Sequence, residues 1–143
     1  MADVKMSVAD LERFLHAEFP EAFGDGEIAI ESADGTSALL RQRYGARMLR
    51  PGGIISGPTL MALADFAMYV AVLSAIGPVK LAVTTNLTIN FLRPGSAGQD
   101  VFAAARLLKL GKRLAVGEVH LRSGMSPDPL AHVTATYSIP NAR

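Results

Sequence analysis

The feature that most constrains this chain is the run Leu60–Val79, which is apolar apart from Asp65, Tyr69, Ser74 and the Gly77-Pro78 pair. Its length invites comparison with a membrane span, but a carboxylate inside a span costs roughly 2.5–3.5 kcal/mol. The segments after it alternate apolar and polar residues, as strands facing water do. The run therefore reads as a buried helix rather than a span. Ser56-Gly57-Pro58-Thr59 offers a cap and a proline suited to the first turn, and Gly77-Pro78 stops the helix, so it should run from about 58 to 76. Leu60, Met61, Leu63, Phe66, Met68, Val70, Val72, Leu73 and Ile76 occupy every face of it, whereas a surface helix shows one apolar stripe. Something has to wrap it.

The rest of the chain supplies the wrapper. In Thr84–Phe91, Leu87, Ile89 and Phe91 alternate with polar residues, and in Ala131–Ile139 every second residue is apolar, the period of half-buried strands. Asp100–Leu110 and Arg113–Arg122 lie between them, joined through Gly111-Lys112. Upstream, Glu27–Ser32 and Ser37–Arg43 flank Ala33-Asp34-Gly35, a tight-turn signal. Residues 7–17 have a Ser7 cap and Val8, Leu11, Phe14 and Leu15 at helical spacing. The order predicts an α+β fold in which an antiparallel sheet curls around one long central helix, with a short N-terminal helix beside it. One domain is expected over residues 1–143, with 1–25 packing on it as a helical segment.

Composition narrows the chemistry. The chain has 143 residues and no cysteine, which removes disulfides, thiolate nucleophiles and Cys-ligated metals. The 14 basic and 13 acidic residues are spread through the sequence, leaving no footprint for nucleic acid. Charges every few residues at the N-terminus are unlike a secretory leader, so the expected location is cytoplasmic, with no membrane partner. There is no Gly-x-Gly-x-x-Gly after a strand, P-loop, Gly-x-Ser-x-Gly elbow or His-Glu-x-x-His. His16, His120 and His132 are far apart, with no metal-pair spacing.

Asp65 is the one charge in the helix, and an apolar setting makes a carboxylate expensive unless it is partnered or used. A carboxylate bonded to a loop, or turned to solvent at the sheet edge, would also satisfy that requirement. Gly57 falls at the helix start, where free N–H groups and the dipole can polarise a carbonyl; a plain capping glycine fits the position too. Pro58 has no N–H and removes one donor. Eight residues separate Gly57 from Asp65, roughly 12 Å along the axis at 1.5 Å per residue. One helix does not readily put both on the same carbonyl carbon, so a shared site calls for two chains, with two helices antiparallel about a two-fold axis.

The stretch RPGGIISGPTLMALADFAMYVAVLSA, then LTINFLRP, then the basic hairpin GKRLAVGEVHLR and a closing strand, resembles the hotdog-fold thioesterases of the phenylacetate-pathway (PaaI-like) type over about residues 45–140. Leu63-Ala64-Asp65 and Phe91-Leu92-Arg93-Pro94 match the family pattern, while Ser56-Gly57-Pro58 stands in place of its His-Gly-Gly step and Arg50 in place of its loop Asn. The resemblance implies an acyl-CoA thioesterase. Asp65 would be nucleophile or general base, the Gly57 amide would polarise the thioester carbonyl, and Thr84 would orient the water or the acid. It also implies a homodimer with continuous sheets, or a dimer of dimers. No metal or redox cofactor is implied, since coenzyme A enters as part of the substrate. Ser56 and Pro58 border the expected site, and Arg50 could meet the carbonyl or phosphates. Arg93, Lys109, Lys112 and Arg113 are candidates for the coenzyme A phosphates. Met61 and Phe66, with Met68 and Tyr69, are candidate pocket walls, although such residues also serve as core. The rival on the same scaffold is a protein that binds an acyl-CoA or another apolar ligand without hydrolysing it. A dehydratase would want a histidine near Asp65, and none is close in sequence.

Overall fold

The structure, a computed structural model, describes residues 3–23, 25–124 and 126–140; the ends of the expected 1–143 domain, and residues 1, 2 and 24 of its N-terminal segment, lie outside them. Helix α1 (Val8–Glu18) starts where Ser7 and Asp10 cap each other: the Ser7 hydroxyl accepts from the Asp10 N–H and the Asp10 carboxylate accepts from the Ser7 N–H. It buries Leu11 and Leu15, and the single turn α2 (Pro20–Phe23) buries Phe23. The segment before α1 is tied down as well, through the Lys5 N–H donating to the Ser74 carbonyl at 2.8 Å.

Strands β1 (Ile28–Ala33) and β2 (Ser37–Gln42) form the expected hairpin. The Asp34 carboxylate accepts from the N–H groups of Thr36 and Ser37, and Gly35 supplies φ of 87°, a left-handed conformation that favours glycine. After a 3₁₀ turn (Ala46–Met48), β3 (Leu49–Arg50) and β4 (Ile54–Ile55) make a two-residue ladder that the sequence pattern does not reveal. Helix α3 (Gly57–Ile76) follows, then β5 (Val83–Phe91), β6 (Val101–Leu110), β7 (Leu114–Ser123) and β8 (Pro129–Ser138). These long elements match the sequence reading to within a residue or two at most ends.

The six long strands form one antiparallel sheet in the order β1-β2-β6-β7-β8-β5. The last strand enters between β7 and β5, which leaves β5 at an edge. The sheet face under α3 includes small residues, Ala103 and Ala105 on β6, Ala115 on β7, Ala131 and Ala135 on β8, among larger ones such as Val119, Leu121 and Val133. Helix side chains such as Leu63, Met68 and Leu73 fill the space those alanines leave and are fully buried. At Gly117 the approach is closest; a Cβ there would lie 2.6 Å from Met68 Sδ and 2.8 Å from the Arg106 carbonyl oxygen.

This is the hotdog arrangement, with one correction to the idea that α3 is wrapped on every side. Pro58, Met61 and Ala62 are exposed and Asp65 and Tyr69 only half-buried. Their spacing puts them on one stripe. Within the described residues, the chain covers α3 everywhere else along its middle and leaves this strip open.

Candidate active site

Asp65 sits on that strip, and two hydroxyls converge on one of its oxygens. Thr84 Oγ1 donates to Oδ1 at 2.5 Å, and the Tyr137 hydroxyl reaches the same oxygen at 2.8 Å while lying 2.9 Å from the Asp65 carbonyl. Among the described residues Oδ2 has no such donor. Thr84 points inward because of a local irregularity. Alternation from the half-buried Leu87 and Ile89 would turn Thr85 inward and Thr84 outward. The ladder with β8 slips between Thr84 and Asn86, so Thr84 faces Asp65 and Thr85 is exposed, as a β-bulge does.

Tyr137 is the member of the candidate site that sequence reasoning missed. The period marked it as inward-facing, which it is, at 3% exposure. The overlooked signal was chemical: a tyrosine in a row of buried alanines and valines needs a partner for its O–H. Burial, and after it the negative charge of Asp65, push the Tyr137 hydroxyl well above the usual phenol range, so it stays a donor. Its ring stacks on Tyr69, centroids 6.1 Å apart, and the Tyr69 hydroxyl donates to the Lys80 carbonyl at 3.2 Å. A cavity of about 500 Å³ opens here, bounded by Asp65, Thr84, Tyr137, Tyr69 and Phe19, with the Glu18–Lys80 ion pair (3.2 Å) on its wall. Helix α1 thus contributes to the site through its C-terminal end.

The helix start faces a second cavity, of about 570 Å³, bounded by Arg50, Gly57, Pro58, Phe91 and Arg93. Ser56 is the N-cap and directs its hydroxyl to Thr59, whose N–H lies 3.3 Å away. As the first helical residue, Gly57 has no acceptor for its N–H within the helix. Phe91 covers the glycine so closely that a Cβ would lie 3.1 Å from its ring. The strand pattern made Phe91 inward-facing; it lies at the free end of the edge strand and is 54% exposed. Arg93 directs its guanidinium to the Pro129 carbonyl.

The structure therefore gathers Arg50, Ser56, Gly57, Pro58 and Arg93 around the helix start and Thr84 around Asp65, with the two groups opening into different cavities. The other candidates stand apart from both. Phe66 is buried between Phe19 and Phe23, stacked on each at 5.6 Å between centroids, because α1 and α2 cover that face of α3. Met61 is on the open strip but borders neither cavity, and Lys109, Lys112 and Arg113 are exposed around the β6–β7 turn. His120 and His132, distant in sequence, lie opposite each other on the outer sheet face, His120 exposed and His132 half-buried.

An antiparallel sheet around one helix, with a hydroxyl-held carboxylate on the helix's open strip, defines a hotdog-fold protein with a carboxylate-centred site. Residues 52–127 match the family model of the Thioesterase superfamily, and the chain belongs to that superfamily. A thioesterase-type protein of Silicibacter sp. TM1040 is 40% identical, with 96% of this chain and 94% of that chain covered and a TM-score of 0.87. The PaaI protein of the phenylacetic acid degradation operon of E. coli is 28% identical, covering 89% and 92%, with a TM-score of 0.74. The esterase-type protein SSO1253 of Saccharolobus solfataricus is 31% identical over 121 residues, 85% of this chain and 78% of the relative. The protein is a PaaI-like thioester hydrolase.

Proposed function

We propose that this chain hydrolyses acyl-coenzyme A thioesters at two equivalent sites, each formed between a pair of chains. The observation that carries the reading is the Asp65 carboxylate, bonded through Oδ1 to Thr84 and Tyr137 on the strip of α3 that the described residues of its own chain leave uncovered. The pairing is supported by the separate cavities, since Gly57 and Asp65 of one chain open onto different spaces. It is supported also by β5, whose outer edge is unpaired among the described residues and beside which Leu81, Val83, Phe91 and Leu92 are at least half exposed. A long apolar edge of this kind favours pairing with another strand.

In this reading the thioester lies between two helix strips. The Gly57 N–H of one chain donates to the carbonyl oxygen and stabilises the negative charge that develops there. Asp65 Oδ2 of the other chain acts on the carbonyl carbon. As general base it takes a proton from water, the resulting hydroxide adds to the carbon, and the C–S bond breaks with the thiolate leaving to collect that proton. As nucleophile it forms a mixed anhydride, expels the thiolate, and water then cleaves the anhydride to the free acid. Thr84 and Tyr137 hold Oδ1 in either case. Arg50 and Arg93, beside the Gly57 cavity, offer cationic groups to the coenzyme A portion.

A panel of aliphatic and aryl acyl-CoAs, followed with a thiol-reactive dye, tests the proposal. Wild-type turnover should be lost in Asp65→Ala while the circular dichroism spectrum and oligomer mass stay unchanged. Most activity surviving the substitution would refute the role, and binding without turnover by wild type would return the chain to the ligand-carrier reading. Label found in Asp65 after a single turnover in H₂¹⁸O demonstrates the nucleophile route, because water that opens the anhydride at the Asp65 carbonyl leaves its oxygen there, whereas the general-base route sends it only to the product acid.

A further inference from the structure

We infer that Glu118, His120 and His132 form a binding site for a divalent transition-metal ion of the Zn²⁺ class on the outer face of the sheet. The argument starts from register. In the β7–β8 ladder His120 pairs directly with His132, and Glu118 precedes His120 by two residues, so it projects from the same side. Two donors two residues apart on one strand, with a third directly across from one of them, give three ligands that approach an ion from a single side. The intervening Val119 is fully buried against the core, so the three lie on the face away from α3 and take no part in the Asp65 site.

The distances suit an ion. Donor atoms of the three side chains all lie within 4.8 Å of one another. The imidazole centroids are 4.8 Å apart with the rings inclined at 60°, and Glu118 Oε2 is 3.4 Å from His132 Nε2. A tetrahedral ion with bonds of about 2.0–2.2 Å holds its donors roughly 3.4 Å apart. The Glu118–His132 edge already has that length, and a small rotation of His120 closes the rest.

The surroundings prepare the carboxylate. Arg106 Nη2 donates to Oε1 at 3.0 Å, which orients the group and leaves Oε2 for the ion, the service an outer-shell partner gives to a metal ligand. That hydrogen bond, and next the one with His132, hold the Glu118 carboxyl below its usual range. The other nearby cation, Arg122, lies over the Phe102 ring, 5.4 Å from its centre. Ala104, opposite His120 on β6, is small and borders an open groove of about 470 Å³ that gives water ligands room. Two imidazoles and one carboxylate select Zn²⁺, Co²⁺, Ni²⁺ or Cu²⁺ over Mg²⁺ or Ca²⁺, which prefer all-oxygen sites.

Calorimetric titration of the untagged full chain, stripped with a chelator and desalted, tests the inference with ZnCl₂ as the probe. The expected result is one equivalent bound per chain with micromolar affinity, weakened at least tenfold in His120→Ala and in His132→Ala, unchanged in His16→Ala, and absent with MgCl₂. Co²⁺ should give visible absorption that disappears in the same two variants. Circular dichroism of each variant confirms the fold, and the wild-type titration stands whether or not a variant folds. No saturable Zn²⁺ uptake, uptake that survives the double histidine variant, or equal uptake of Mg²⁺ would overturn it.

Discussion

Two hydroxyls on one carboxylate oxygen make a prediction that separates packing from chemistry. Tyr137→Phe keeps the ring stacked on Tyr69 and removes only the donor to Asp65. A carboxylate released from one of two restraints samples unproductive positions, and small misplacements reduce turnover by roughly ten- to a hundredfold. We expect kcat to fall by that factor with KM near wild type; an unchanged kcat would leave Tyr137 with a packing role alone. Because the Tyr137 pKa is raised, its protonated form is favoured by folding. Its stabilising effect is complete below the ordinary value of 10.0 and declines only as pH rises toward the native value, so the difference between the two proteins should not vary with pH across the neutral range. At this scale the sequence disclosed Asp65, because a solitary charge in an apolar helix stands out. It could not disclose the inward turn of Thr84, which depends on a slip in strand register, or the meeting of Tyr137 with a residue 72 positions earlier.

Elements carry two further predictions. Gly117→Ala pushes a methyl into Met68 and, less yieldingly, into the Arg106 carbonyl; overpacking of this kind costs about 1–3 kcal/mol and should be read as a lower urea midpoint. Asp34→Ala removes the acceptor for two N–H groups in the β1–β2 turn and should cost about 1 kcal/mol near neutral pH. The hydrogen bonds from Thr36 and then Ser37 lower the Asp34 pKa. The native state therefore binds that proton more weakly than the unfolded chain does, and the advantage of wild type is full above pH 3.8 and shrinks as acid titrates the native carboxylate. Urea unfolding of both proteins along a descending pH series measures it. The long elements were legible because hydrophobic period and punctuation agree in them: Ser7 and Ser56 as caps, Gly77 as a stop, alternation from Ala131 onward in β8. The β3–β4 ladder and α2 are too short to possess a period. Lys109, Lys112 and Arg113 illustrate a different loss, since charge type alone does not say which cavity, if any, a turn will border.

For the molecule as a whole, division of labour between chains can be tested by complementation. Asp65→Asn abolishes the acid, and Gly57→Val places a side chain where Phe91 already crowds the helix start. Each variant alone should be inactive. If both are mixed under conditions that allow exchange of subunits, half the pairs are hybrids with one intact site, and activity should recover to roughly a quarter of wild type. Failure to recover, with exchange verified by mass, would place the whole reaction within one chain. The sequence disclosed that a sheet must enclose α3, since nothing else could hide so apolar a rod, but not that the enclosure would stop short along the line of Pro58, Met61, Asp65 and Tyr69.

That gap has a consequence for how such a protein can change. In the proposed pair, a substitution along the bare line that loosens the contact between copies would also disturb the acid, and one that retunes the acid would also alter what the copies touch. Selection for catalysis and selection for association would then act on the same few side chains, so drift toward a solitary form should silence the enzyme before it costs the fold anything.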